Sequence, residues 1–400
     1  MKRIKIFNAR VLTPYRAIDN GTVIVEDGKI ASVGGGDIKV ADCTAVDAGG
    51  HYASPGFIDI HTHGGGGHDF MDGTVEAFLG AAEMHLKHGT TSLVPTTLAG
   101  SMEELKCTLE VYKEAKQKNR KGARFLGIHL EGPYFAISQK GAQDPRYIKA
   151  PSPEEYKAIS AWSDDIIRWS AAPELDGAME FGRYLSRKGI LPSIGHSDAV
   201  YEQVQEAFEN GFTHVTHLYS GMSGVRRINA YRHAGVVESA FLIDEMTVEI
   251  IADGCHLPAS LLKLIHKIKG PEKTALVTDS MRAAGMPEGE SILGSLKNGQ
   301  KVIVEDGAAK LLSREAFAGS TATADRLVRT MTRLAGIAVA DAVRMMTSTP
   351  ARIMGVDKTK GSIAPGKDAD IIIFDNDINI KAVIIKGETV FCHPEGTLNL

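Results

Sequence analysis

Apolar positions along the chain follow two patterns. Near both ends they alternate with polar ones, in KRIKIFNARVL (2–12) and GTVIVEDGKIASVG (21–34), then again in DADIIIFD (368–375) and INIKAVIIKGETVF (378–391). A period of two punctuated by Asp-Gly and Gly-Gly predicts short strands joined by tight turns. Between the ends the apolar residues form continuous runs at 57–63, 91–97, 124–132, 166–174, 191–197, 214–220, 247–256 and 274–280. Spacers such as TVEAFLGAAEMHLKH (74–88) and AVYEQVQEAFENG (199–211) carry helical spacing instead. Eight strand-then-helix units over about 250 residues predict an α/β protein built on a (β/α)₈ TIM-type barrel. The β-rich ends are expected to pair into one small sheet domain. The hairpin-like KVIVEDGAAKLL (301–312) interrupts the rhythm across 291–317, as an insertion or a return to the small sheet.

Composition narrows the function. Lys and Arg number 45 against 49 Asp and Glu, a net charge of −4, which excludes the basic surface that nucleic acid requires. With 43% hydrophobic residues in 400, the chain needs no disulfide staples. Cys43, Cys107, Cys255 and Cys392 form no Cys-x-x-Cys pair, against a zinc ribbon and in favour of a reducing compartment. MKRIKIFNAR offers no signal-peptide core, and no run approaches the roughly 20 apolar residues of a membrane span. A cytoplasmic protein with neither membrane nor nucleic-acid partner is expected.

The reactive side chains gather at the ends of the apolar runs. His61 and His63 end the first, Glu131 the third and His196 the fifth. His217 lies late in the sixth, His256 ends the seventh and Asp279 ends the eighth. In a barrel these positions share one mouth. Residues two apart on a strand face the same side, so His61 and His63 can reach one ion. A Glu closing an apolar strand is costly unless paired or metal-bound, and His129, two residues before Glu131, is a lining residue or a ligand. Imidazoles mixed with carboxylates suit a divalent transition metal (zinc, iron, manganese or cobalt), with one or two ions per chain. Each residue alone has a plainer reading, Asp279 as a helix cap for instance, and the set is what argues for metal. His85, His88 and His266 follow no such pattern and read as surface or packing residues.

The phrases PGFIDIHTHG, HLEGPY, GHSDA, THLYSGM, VTDSMRAAGMPEG, FAGSTATADR and GSIAPGKDADIIIFD span 55 to 375. Together they resemble the amidohydrolase superfamily, and within it the N-acetylglucosamine-6-phosphate deacetylases. The resemblance implies a barrel over 55–354 plus a small β-sandwich built from 1–54 and 355–400. It implies removal of the acetyl group from an amino-sugar 6-phosphate, N-acetylglucosamine 6-phosphate or its galacto isomer. It maps one ion onto Glu131, His196 and His217 and a second onto His61 and His63 with Glu131 bridging. Asp279 matches a catalytic, metal-side aspartate and His256 a histidine on the substrate carbonyl. Ala142, Gln143, Ser220, Gly221, Phe317, Ala318 and Gly319 fall where other substrate contacts lie. Arg232, in YRHAG, matches an arginine that grips phosphate from the neighbouring subunit of a homodimer. The chain departs from the family on the sugar-phosphate side: Ser220-Gly221 stands for the usual Asn-Ala, Gln143 for a histidine, and His233-Ala234 for Glu-Pro.

Two rival readings remain. A cyclic-amide hydrolase would bridge its metals with a lysine ending the fourth strand, yet none occurs between Lys157 and Lys188. A metal-free barrel serving as an interaction protein would be expected to have lost ligands, and here none is missing.

Overall fold

The computed structural model describes residues 2–394, so residues 1 and 395–400 of the expected small domain lie outside the described residues. Strands from both chain ends lie in one eight-stranded sheet. Its order is Glu388–Cys392, Ile380–Ile385, Ile371–Phe374, Tyr52–Pro55, Arg3–Leu12, Ala17–Glu26, Lys29–Gly35, with Thr44–Asp47 also on Arg3–Leu12. The alternation explains its buried face: Ile4, Ile6, Ala9, Val11, Val23, Val25, Ile371 and Ile373 form one core. The inward set steps from Ile6 to Ala9 because the register shifts there, at Asn8 with φ +54°.

The middle of the chain lays down parallel strands in chain order. They are Phe57–Thr62, Thr90–Pro95, Arg124–Phe125 continuing as Ile128–Glu131, Ile166–Ala171, Leu191–Ile194, His214–Val215, Thr247–Ile250 and Thr274–Leu276. Helices such as Val75–Lys87, Met102–Lys118, Ala178–Arg187 and Tyr201–Glu209 alternate with them. The strands form two hydrogen-bonded sheets that meet at both edges. At one edge Thr96 pairs in parallel with His129. At the other, Asp279 N donates to His61 O and His63 N to Ser280 O, both at 2.9 Å.

Several strands are shorter than their apolar runs: Leu191–Ile194 stops before His196, whose φ is +47°, and two others fall further short. The run 214–220 is strand only over His214–Val215, because His217 (φ +28°) and Tyr219 (φ +79°) turn the backbone out of the extended region. The run 247–256 is strand only to Ile250, which places His256 in the following loop and not at a strand end. Asp279 likewise lies beyond its strand, at φ +46°, and caps no helix.

Residues 289–320 form a separate four-stranded antiparallel sheet, so this segment is an insertion and does not pair with the terminal strands. Its core of Leu293, Val302, Val304, Ala309 and Ala318 includes Met281 from the Asp279 segment. Ser320 N donates to Asp279 O at 2.8 Å and Met281 N to Ser320 O at 2.9 Å. The insertion is thereby stitched to the strand ends. On the other flank, fully buried Trp169 donates Nε1–H to Gly132 O at 2.8 Å, securing the turn after Glu131. Its indole packs on Tyr134 and Phe181, fixing that turn against helix Ala178–Arg187. Among the described residues no helix is long and apolar enough to cross a membrane.

Candidate active site

Four imidazoles and two carboxylates from five segments meet in one buried cluster. Three of the imidazoles have Nδ1 on an acceptor: His61 on Glu249 Oε1 (2.6 Å), His63 on Thr96 O (3.2 Å) and His196 on Gln139 O (2.8 Å). An acceptor at Nδ1 holds the proton there and leaves Nε2 with its lone pair. Those Nε2 atoms face carboxylate oxygens. His61 Nε2 is 3.6 Å from Glu131 Oε1 and 3.4 Å from Asp279 Oδ1. His63 Nε2 is 3.1 Å from Asp279 Oδ1, and His196 Nε2 3.3 Å from Glu131 Oε1. His217 Nε2 lies 2.9 Å from Glu131 Oε1.

Lone pairs facing carboxylates repel unless a cation lies between them. Donor atoms around a four-coordinate ion with bonds of about 2.0–2.1 Å stand roughly 3.3 Å apart, close to these separations. His61 Nε2 is buried and has no hydrogen-bond partner of its own. The donors divide into two groups able to hold an ion each: His61, His63 and Asp279, and Glu131, His196 and His217. The cluster therefore fits one or two divalent transition ions.

The charges agree. Burial disfavours a charged His63, yet the hydrogen bonds it donates to the Asp279 and Glu131 carboxylates outweigh that and raise its pKa well above the ordinary value; a cation bound there would take the place of the Nε2 proton. Burial would raise Glu131, but the imidazoles of His61, His196, His217 and His63 keep it well below the usual carboxylate range. Asp279 is likewise pushed up by burial and brought down further by His61, His63 and His217. Both carboxyls are ionised at neutral pH.

Above this cluster opens a cavity of about 330 Å³. His63, Glu131, His196, His217 and Asp279 form its floor, and Ala142, Gln143, Ser220, Gly221, Phe317 and Gly319 line its walls with His256. The His256 ring lies against Phe317 with centroids 4.2 Å apart, and its Nδ1–H donates to Asp253 Oδ2 at 2.8 Å. Gln143 is tied down at both ends, Oε1 accepting from Ala99 N at 2.9 Å and Nε2 donating to Glu131 Oε2 at 2.7 Å. Two of the expected substrate contacts do not line the cavity. The Ala318 side chain is buried in the insertion core. Arg232 is exposed on the hairpin of Arg226–Ile228 with Tyr231–His233.

The profile of the Amidohydrolase family matches residues 52–390. The chain belongs to the amidohydrolase family. Membership implies a metal-dependent hydrolase with a divalent ion. This amidohydrolase is 33% identical over 374 residues to the N-acetylglucosamine-6-phosphate deacetylase of Vibrio furnissii, covering 93% of this chain and 91% of that one. It is 32% identical over 380 residues to the N-acetylgalactosamine-6-phosphate deacetylase of Escherichia coli O157:H7, covering 95% and 97%. The crystal structure of N-acetylglucosamine-6-phosphate deacetylase from Pasteurella multocida superposes with a TM-score of 0.90 at 31% identity, over 98% of this chain and 100% of that one.

Residues that the sequence did not single out hold this amidohydrolase's site in shape. Glu249, Asp253, Thr96 and the carbonyl of Gln139 each fix an imidazole. Asp253 carried a signal, sitting three residues before His256 in IADGCH. Glu249 carried one too, as a lone charge in the strand Thr247–Ile250. His85, expected as surface or packing, is fully buried, its Nε2 3.0 Å from Gly64 O and 3.1 Å from Ser280 Oγ. Burial lowers its pKa to about 4, so it packs as a neutral ring.

Proposed function

We propose that this chain removes the acetyl group from N-acetylglucosamine 6-phosphate, giving glucosamine 6-phosphate and acetate. The observation carrying this reading is the convergence of four imidazoles, Glu131 and Asp279 beneath a cavity of about 330 Å³ with His256 on its wall. A bound divalent ion supplies Lewis acidity, polarising an amide carbonyl and lowering the pKa of a bound water to about 7. Glu131, His196 and His217 would hold one ion; His61 and His63, with Asp279 and the shared Glu131, a second.

Asp279, ionised and on the cavity floor, accepts the proton of the attacking water and returns it to the nitrogen, because an amide nitrogen leaves only as an amine. Asp253 keeps the His256 proton on Nδ1 in the neutral ring. A His256 carrying a proton on each ring nitrogen from the outset keeps Nδ1–H on Asp253 and donates Nε2–H to the oxyanion of the tetrahedral intermediate without losing that proton. Phe317 holds the His256 ring by contact. Gln143 orients Glu131, while Ser220, Gly221, Ala142 and Gly319 shape the wall around the sugar.

Among the described residues no Lys or Arg lines the cavity. A 6-phosphate dianion needs a cation, which supports Arg232 entering from a second copy of the chain, in a homodimer. Arg232 is exposed and makes no side-chain hydrogen bond or ion pair among the described residues, while Arg226 anchors its hairpin to Asp198 at 2.6 Å. The edge pairings at Thr96 and His61 support a closed (β/α)₈ barrel over 55–354. The shared terminal sheet supports a small β domain from 1–54 and 355–400. Four free cysteines support a cytoplasmic setting. A cyclic-amide hydrolase is disfavoured, since the strand Ile166–Ala171 offers no lysine to bridge two ions.

The test is acetate release from purified protein given N-acetylglucosamine and N-acetylgalactosamine, each with and without 6-phosphate. Fastest turnover of the phosphorylated gluco sugar is expected. Preference for the galacto isomer would move the assignment to that sugar, and no release from any of the four would overturn it.

A further inference from the structure

The centre of the parallel array holds a buried charge pair that the proposed chemistry does not use. Arg168, on Ile166–Ala171, and Glu249, on Thr247–Ile250, are both 0% exposed, with Nη1 2.6 Å from Oε2. Arg168 is held on three further acceptors: Nε donates to Ser193 Oγ (3.0 Å), Nη1 also to Ile60 O (3.1 Å), and Nη2 to Thr216 Oγ1 (3.0 Å). Glu249 Oε2 also lies 3.2 Å from His214 Nε2. Its other oxygen faces the candidate site. Oε1 accepts from His61 Nδ1 at 2.6 Å and from the backbone N of His217 at 3.2 Å.

A buried ion pair is a poor device for stability alone, because well-packed apolar residues of similar volume do as well or better. Its retention here has a chemical consequence. Glu249 has no proton to give, so His61 must carry its proton on Nδ1 and present a bare Nε2. That Nε2 is buried without a hydrogen-bond partner and lies between Glu131 and Asp279. Arg168 in turn keeps Glu249 ionised and aimed, since its fork is locked by three other acceptors.

We infer that Glu249, held by Arg168, is a positioning residue that sets the His61 tautomer and thereby loads the ion position formed by His61, His63 and Asp279. The inference rests on the two-position metal reading above. Glu249→Gln tests it through a specific geometry. The amide oxygen is drawn to the Arg168 guanidinium, which turns the amide NH₂ towards His61 Nδ1. Nδ1 must then accept, the proton moves to Nε2, and the ligand atom is blocked. Groups that orient metal-binding histidines carry about 10–100-fold in metal affinity.

The experiment loads chelated, metal-free protein with zinc alone, and reads stoichiometry and each Kd by competition with a chromophoric chelator. Wild type is expected to take two ions per chain. Glu249→Gln is expected to bind one ion as wild type does and the other at least tenfold more weakly, as His61→Asn should. A purely structural role would weaken both positions alike and lower Tm. If Glu249→Gln fails to fold by circular dichroism, the paired change Glu249→Leu with Arg168→Met removes both charges together, and the same selective loss is expected. Independently, ¹⁵N-histidine spectra of zinc-loaded wild type should show a proton on His61 Nδ1. Two ions at unchanged affinity in the variant, or His61 protonated on Nε2, overturns the inference alone. A wild type that binds a single ion overturns the two-position reading and the inference with it.

Discussion

Gln143 Nε2 donates to Glu131 Oε2 across 2.7 Å, while the other end of the same amide accepts from Ala99 N at 2.9 Å. The resemblance placed residue 143 among substrate contacts; its side chain lines the cavity and also ties a loop to the Glu131 carboxylate. Gln143→Ala should weaken metal retention by roughly tenfold, measured against a competing chelator. Unchanged retention with a raised KM would return Gln143 to substrate binding.

Asp279→Asn separates chemistry from binding. An amide keeps the size of the side chain but cannot take the proton of water. We expect kcat for acetate release to fall by about 10²–10⁴-fold, with substrate affinity and at least one bound ion retained. Near-normal turnover would remove Asp279 from its role.

Gly221 tests the departure at Ser220-Gly221. Its φ is +57°, and a Cβ there would stand 2.8 Å from His196 Nδ1 and 3.0 Å from Gln139 O. Gly221→Ala should therefore cost about 1–2 kcal/mol of stability from the left-handed backbone, read by urea unfolding. It should also displace His196 from its carbonyl and weaken the ion on Glu131, His196 and His217. A variant with wild-type stability and metal affinity would show that the loop gives way freely.

Arg232→Ala should raise KM for the 6-phosphate sugar roughly 10–100-fold, the scale of a lost charged hydrogen bond, and leave turnover of the unphosphorylated analogue nearly unchanged. If the arginine crosses a dimer interface, mixing Arg232→Ala with Asp279→Asn chains restores activity, since each hybrid keeps one intact site. Failure of rescue despite measured subunit exchange would place Arg232 outside a shared site.

Asp375 sets an acid limit on the terminal sheet. Burial opposes its charge, but donors from Asn379, Lys381 and Asp377 N bring its pKa down from 3.8 to about 2. A folded value below the unfolded one stabilises the protein above about pH 4, and this contribution disappears as pH falls towards 2. Discounted for solvent screening at this partly exposed carboxylate, it amounts to about 1 kcal/mol. Urea unfolding of wild type and Asp375→Asn between pH 6 and 2.5 should show the gap narrowing only at the acid end. A constant gap would assign the effect to packing.

Much was legible along the chain because periodicity and strand-end chemistry are local. Alternation marked the strands of the terminal sheet, and eight apolar runs marked the parallel strands. The order His61, His63, Glu131, His196, His217, Asp279 marked the residues that meet. Other features were not legible. The lengths of the strands after residues 214 and 247 depended on positive φ at His217 and Tyr219 and on the Asp253 loop, which an apolar run does not report. The strands of residues 289–320 pair with one another, and their place beside Asp279 depended on the bonds of Ser320 with Asp279 and Met281, which the segment's own pattern does not report.

The sequence by itself determined which residue types stand at the strand ends, and so the class of chemistry, because ligand identity is a local property. Only the tertiary structure decided which nitrogen of each imidazole faces the centre. That choice depends on acceptors far along the chain: Glu249 stands 188 residues from His61, and Gln139 stands 57 from His196. A proton's position on a ring is set by what touches the opposite atom, and that contact exists only once the strands are folded together.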